Sequence, residues 1–367
     1  MLVLSLALGA APAIAAQSMP GWRTDFSRHT VPLEEIVPGG PPKDGIPPVD
    51  RPEFEPVASA ARWLGSREPV IVVEHGGVAR AYPLQILVWH EIVNDVIAGM
   101  PIAVTYCPLC NTAIVFSRII LPGADTTTFG TTGRVRLSDL VMYDRGTESW
   151  WQQATGEGLV GVHAGGQLSR FPSTLVSFAE FRRNFPRGVV LSRATGHERP
   201  YGRNPYLRYD AEGASPLASL FGRRPDTRFP AMARVVVVKE GPEQLVIPFE
   251  RLRRDRVVAT RIGAKDLIVW WIEGTASSMD TEIIAEGREV GSAVAHRSSV
   301  DGRVLTFRPH GDATFRDTQT GTTWSALGHG ISGPLTGRRL EPIDHGAYFW
   351  FAVAAFWPQA RLLDSQR

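Results

Sequence analysis

An internal duplication is the feature that most constrains this chain. A shift of 165 residues lays Pro69–Ala113 on Arg234–Ser278 without a gap. It places Val70, Val72 and Val73 on Val235, Val237 and Val238, Gly76 on Gly241, Pro83 on Pro248, Leu87 on Leu252, Val93 on Val258, Ile97 on Ile262 and Val104 on Val269. The offset then grows to 173, carrying Asp144, Thr147 and Trp151 onto Asp317, Thr320 and Trp324. It settles at 172 for Gly165 and Gly337, Leu168 and Leu340, and Pro186 and Pro358. Scattered coincidences would not keep one order with a slowly drifting offset. The expected architecture is therefore two similar units packed together.

Each half carries the same local signals. Val70–Val73 and Val235–Val238 are β-branched runs followed by a glycine turn and a second extended run, a hairpin pattern. Leu84, Leu87 and Val88 recur at helical spacing after Pro83. Residues 102–106 and 112–116 are apolar runs of ordinary strand length. The halves end in aromatic segments closing on proline, Phe178–Pro186 and Trp350–Pro358. Thirty-six glycines and 28 prolines among 367 residues add many turns. The fold class expected is mainly β with short helices, in two homologous β-rich domains. Residues 1–16 read as a signal peptide, 17–60 as an extended Pro/Gly-rich lead-in, 61–190 as the first repeat domain, 191–230 as a linker and 231–360 as the second repeat domain.

The signal-peptide reading rests on the apolar run over residues 2–16, which closes on Ala13-Ile14-Ala15, the small-residue pattern of a cleavage site. No basic residue precedes the run. It is too short to span a bilayer comfortably, so the mature protein is expected to be periplasmic or otherwise exported, without stable membrane insertion. Lys and Arg number 39 against 37 Asp and Glu, a net charge of +2. So near a balance argues against a nucleic-acid partner.

One motif carries chemistry. Tyr106-Cys107-Pro108-Leu109-Cys110-Asn111 holds the only two cysteines. A thioredoxin-like CxxC opens a helix, but the residues that follow, Thr112-Ala113-Ile114-Val115-Phe116, prefer strand. The pair is expected on a tight strand-to-strand turn like a metal knuckle, with Asn111 supplying the left-handed conformation. Two thiolates suit a soft ion, copper(I) foremost. His90 and Met142 are the candidate further ligands; Tyr106, Asn111, Glu91 and Asp95 are expected around them. In the second copy, Ile272 and Thr275 align with the cysteines and Asp255 with His90. A duplicated frame that keeps such a cluster once points to function in that copy, with the second half as scaffold or lid. This alignment has the second half closing the equivalent turn with Glu273-Gly274.

The motifs His90–Asp95, Val104–Asn111, Asp139–Arg145, Thr147–Trp151, Arg199–Tyr206 and Tyr348–Ala352 together resemble the DUF3179 family of exported prokaryotic proteins. Trp150 departs from the leucine expected before the second tryptophan. The resemblance implies a shared module and no particular activity.

Other constellations read as structure. Asp144, Thr147 and Trp151 have counterparts in both halves and are expected to form a turn with a packed tryptophan. His163, His197, His296, His310, His329 and His345 show no ligand spacing and are expected in loops or at the surface. No G-x-S-x-G elbow or phosphate loop is present. The leading expectation is an exported copper-binding protein, acting as a carrier or as a metal-dependent oxidoreductase, with a metal-donor protein or a small substrate as partner. The alternatives are a thiol–disulfide oxidoreductase using the same pair, or a non-catalytic binding or scaffold module with a structural disulfide.

Overall fold

The computed structural model describes residues 19–120 and 125–363; the segment read as a signal peptide lies outside them. The chain is mainly β, in several small antiparallel-rich sheets with a few short helices. The first half opens with the hairpin Pro69–His75 and Val78–Pro83, then the helix Leu84–His90, entered directly from Pro83. The strands Ile92–Ile97, Met100–Cys107 and Thr112–Ser117 follow as an antiparallel meander. A second meander runs Phe129–Arg136, Asp139–Asp144, Trp150–Gln152 and Gly158–Val160. Thr174–Ser177 returns to pair with Pro69–His75. The helix Phe178–Asn184 is capped by the Ser177 side chain, which accepts from the Glu180 N–H.

The second half has the same order of elements. Arg234–Glu240 and Glu243–Pro248 pair as a hairpin, and helix Phe249–Asp255 again follows a proline. His345–Phe349 and Arg361–Leu362 flank that hairpin just as Thr174–Ser177 and Val189–Leu191 flank the first, antiparallel and parallel respectively. Val257–Ile262, Lys265–Ile272 and Ser292–Arg297 form the three-stranded counterpart of the first meander. Both Glu91 and Arg256, which end the equivalent helices, have left-handed backbone, with φ of 58° and 63°. The conformation there belongs to the frame and not to a site.

The turn motif recurs atom for atom. Trp151 Nε1 donates to Asp144 Oδ2 at 3.0 Å, and Trp324 Nε1 donates to Asp317 Oδ2 at 2.9 Å. The Thr147 and Thr320 N–H groups donate to the same carboxylates at 2.7 and 2.6 Å. One expectation fails. The second half has no tight turn after Ile272, because its next strand begins only at Ser292. Residues 273–291 form a long excursion, and Glu273-Gly274 is its start. An ungapped alignment could not show this, since it matches residues 273–278 to the tight turn and strand start at 108–113 of the first half.

The halves share their cores. One apolar cluster joins Cys107, Cys110, Phe116, Met142 and Trp151 to Val235, Met279, Tyr348 and Phe351; another joins Val70 and Phe178 to Trp270, Phe315 and Trp324. Such mixed burial makes each half a wall of the other's core. The lead-in is pinned to the first half: Ile36–Pro38 pairs with Phe129–Arg136, and Trp22 and Phe26 pack edge-on against Trp150. Among the described residues no helix is long and apolar enough to cross a membrane. His296 and His345, read as surface or loop residues, are buried.

Candidate metal centre

Two hairpins build the site. The Met100–Cys107 strand ends in a single 3-10 turn over Pro108–Cys110, and Asn111, with φ 55° and ψ 38°, turns the chain into Thr112–Ser117. This is the expected strand-to-strand knuckle. The facing hairpin turns through Leu137 and Ser138, with φ of 54° and 62°. A two-residue turn of this kind favours Asn-Gly. Left-handed Leu and Ser each cost roughly 1–2 kcal/mol, and strain of this sort gathers at functional sites. The Ser138 N–H, donating to Leu220 O at 3.0 Å, holds the turn in place.

That turn meets the knuckle with three groups. The Cys110 thiol donates to Ser138 O at 3.4 Å, the Leu140 N–H donates to Cys107 Sγ at 3.4 Å, and the Asp139 carboxylate lies beside both sulfurs. One ligand atom from each of Cys107, Cys110 and Asp139 lies within 4.8 Å of the other two. All three residues are buried, the cysteines at 1% and 0% exposure. Asp139 Oδ1 accepts from Gln152 Nε2 and from the Ala154 N–H, each at 2.8 Å, and Thr112 Oγ1 lies 3.3 Å from Oδ2. A carboxylate fixed on one oxygen in this way presents a defined second oxygen.

Burial sets the protonation of the cluster. Desolvation raises both thiols, Cys110 well above the usual range, and the neighbouring Asp139 adds to it. Burial pushes Asp139 up to about 6 despite its hydrogen bonds. Burial, then the charge of Asp139, pushes Glu91 up to about 8. Four acidic groups are thus crowded in a dry space, where a cation would favour the charged forms that burial disfavours. The donor set fits a metal ion: two thiolates and a carboxylate, with an N–H already directed at one sulfur. Ser138 Oγ, Asn111 Nδ2 and Tyr209 OH, all buried nearby, have no hydrogen-bond partner among the described residues.

The sequence of residues 43–360 matches the model of a family described as "Protein of unknown function (DUF3179)". The chain belongs to the DUF3179 family. No curated protein and no solved structure matches it. In this DUF3179 chain the knuckle lies where the motif reading put it, but its surroundings differ. His90 is not brought to the sulfurs: Nδ1 lies 2.6 Å from Pro47 O and Nε2 lies 2.6 Å from Tyr201 OH, so both ring nitrogens are engaged. Met142 faces the same apolar cluster as the cysteines. Glu91 is at the site electrostatically, through Asp139 and Cys107. Asp95 is not; it pairs with Arg80 and accepts from Tyr82 OH at 2.6 Å. Tyr106 OH lies 3.1 Å from Ser278 Oγ and 3.3 Å from Asn111 Oδ1.

Three contributors were not read from the sequence. Asp139 stands at the same offset from Asp312 as Asp144 does from Asp317, so comparing the copies would have set it aside; yet Asp312 is exposed and Asp139 is buried. The excursion 273–291 brings Ser278 and Met279 over the knuckle. The segment read as a linker delivers Tyr206 and Tyr209 to the cysteines.

Proposed function

We propose that this protein is an exported metal-binding protein that holds copper(I) on Cys107 and Cys110, with Asp139 as a third donor. The observation that carries the reading is the convergence of these three ligand atoms within 4.8 Å. Soft thiolates dominate the set and copper(I) accepts low coordination. The Leu140 N–H stabilises charge on Cys107 Sγ. The second half, with residues 273–291 laid over the knuckle, acts as its cover. The apolar run closing on Ala13-Ile14-Ala15, the small-residue pattern of a cleavage site, supports the placement outside the cytosol. The repeated strand order and the paired Asp–Trp turns support descent of residues 61–190 and 231–360 from one ancestor.

A second reading is a thiol–disulfide pair, favoured by Asp139, which stands ready to take a thiol proton. The burial of both sulfurs weighs against it, because exchange requires access to a nucleophilic thiolate. The test is metal stoichiometry and competitive copper(I) titration of protein isolated anaerobically. Wild type should bind one copper ion, and Cys107→Ser and Cys110→Ser should lose affinity by orders of magnitude while remaining folded. Tight zinc binding with no copper preference would replace copper by a borderline ion. No metal binding together with rapid oxidation to a disulfide would favour the second reading.

A further inference from the structure

A cleft of about 650 Å³ opens between the halves, its lining containing neither the cysteines nor Asp139. Its volume is that of a small-molecule site. Gln167 and Arg170 line it from the first half, and Lys239, Asp344, Phe356 and Trp357 from the second. Its charges are mostly paired. Arg170 lies 3.2 Å from Asp344 and also donates to Ala154 O at 2.7 Å. Glu240 pairs with Lys265 and with Arg297. Lys239 is the cation without an ion pair: among the described residues its ammonium meets only the face of Trp357, 4.9 Å from the ring centre, while Asp344 and the lining carboxylate Glu157, itself in no ion pair, act on it from farther away.

The equivalent cleft, also lined by both halves, shows what closure looks like. Glu74 holds the strand position that Lys239 holds in the second hairpin, Arg339 stands at the position of Gln167, and Phe185 at that of Trp357. There, Glu74 and Arg339 form an ion pair at 2.8 Å, and the space is about 200 Å³. In the larger cleft the acid has become Lys239 and the arginine has become the neutral Gln167. A charge that the smaller cleft neutralises with an ion pair across the halves is left without one in the larger, beside a wider indole.

We infer that this cleft binds a small organic anion with a flat apolar body, its charged group on Lys239 and its body against Trp357. An unpaired ammonium in a half-buried cleft gains a counter-ion from such a ligand, and the aromatic wall gains contact area. Burial, then Arg170, lowers Lys239 to about 8, with Asp344 and Glu157 acting in the opposite direction. Binding should therefore be strong below pH 8 and fade above it as the ammonium loses its proton.

The test is calorimetric titration of the full mature chain with 2-naphthoate and with the neutral 2-naphthamide. Wild type should bind naphthoate saturably, and the amide at least about tenfold more weakly. Lys239→Met should lose naphthoate binding, Lys239→Arg should keep it and extend it above pH 8, and Gln167→Glu, which offers Lys239 an internal counter-ion, should abolish it. Thermal melts of the variants guard against misfolding, since Lys→Met in a half-buried site should not destabilise. Absence of saturable naphthoate binding to wild type, equal affinity for acid and amide, or undiminished binding in Lys239→Met would overturn the inference.

Discussion

Replacing Asp139 with Asn should make the metal-free protein more stable and its metal site weaker. Asn keeps the shape and an oxygen to accept from Gln152 and the Ala154 N–H, so both 2.8 Å hydrogen bonds survive. What it removes is a carboxylate whose ionisation the fold resists. Asp139 is raised from 3.8 to about 6, chiefly by burial. An acid raised in the folded state contributes full stability below its unfolded value and loses it as pH rises through its folded value. At about 1.4 kcal/mol for each tenfold change in acidity, the rise at Asp139 costs wild type about 3 kcal/mol at pH 7. The stability difference between Asp139→Asn and wild type should be small near pH 3.5, grow in favour of the variant between pH 4 and 6, and level off above. Urea unfolding of chelator-treated protein across this range measures it. Taking the difference cancels His90 to first order; Glu91, which the Asp139 charge also raises, adds a smaller gain for the variant as it ionises toward pH 8. With copper(I) restored, the variant should bind about 10- to 100-fold more weakly, the cost of losing a supporting group at a metal site. A variant that is less stable at pH 7 with unchanged copper affinity would show that Asp139 is a structural hydrogen-bond acceptor and nothing more.

Further outcomes follow from the same contacts. His90→Ala should leave copper affinity unchanged while destabilising the fold by about 1–3 kcal/mol, because the half-buried Pro47 O and Tyr201 OH each lose a bond; weakened copper binding would return His90 to the ligand set. His90 is lowered to about 4 by burial, so in wild type its contribution is present above pH 6.5 and lost as pH falls toward 4, which urea unfolding should show as acid destabilisation missing from the alanine variant. Trp151→Phe and Trp324→Phe should each cost about 1–3 kcal/mol, the penalty for a buried carboxylate deprived of a donor, and similar values would fit their equivalent bonds to Asp144 and Asp317. Tyr209→Phe removes a buried hydroxyl that has no partner among the described residues, so the metal-free protein should be as stable or more so; a large loss in thermal unfolding would mean the hydroxyl has a partner in solution.

What the sequence made legible was whatever is local or repeated. The cysteines' turn followed from β-branched residues after Cys110 and from Asn111 at a left-handed position. The Asp144 and Asp317 turns followed from one spacing seen twice. Contacts between distant segments were not legible. Asp139 reaches the sulfurs because a strained Leu137-Ser138 turn aims a second hairpin at the knuckle, and nothing in a run of strand residues marks the polar one that faces inward. His90 sits at the end of a helix that points it at Pro47 and Tyr201, partners 43 and 111 residues away. The excursion over 273–291 escaped because a gapless alignment hides an insertion that falls where similarity ends.

The most direct test of the central claim is X-ray absorption at the metal edge of protein isolated anaerobically. Such protein should show a copper(I) edge with two sulfur scatterers and a lighter oxygen neighbour, the sulfur shell collapsing in Cys107→Ser. A metal-free protein, or an ion surrounded only by nitrogen and oxygen with Cys107→Ser unchanged, would contradict it.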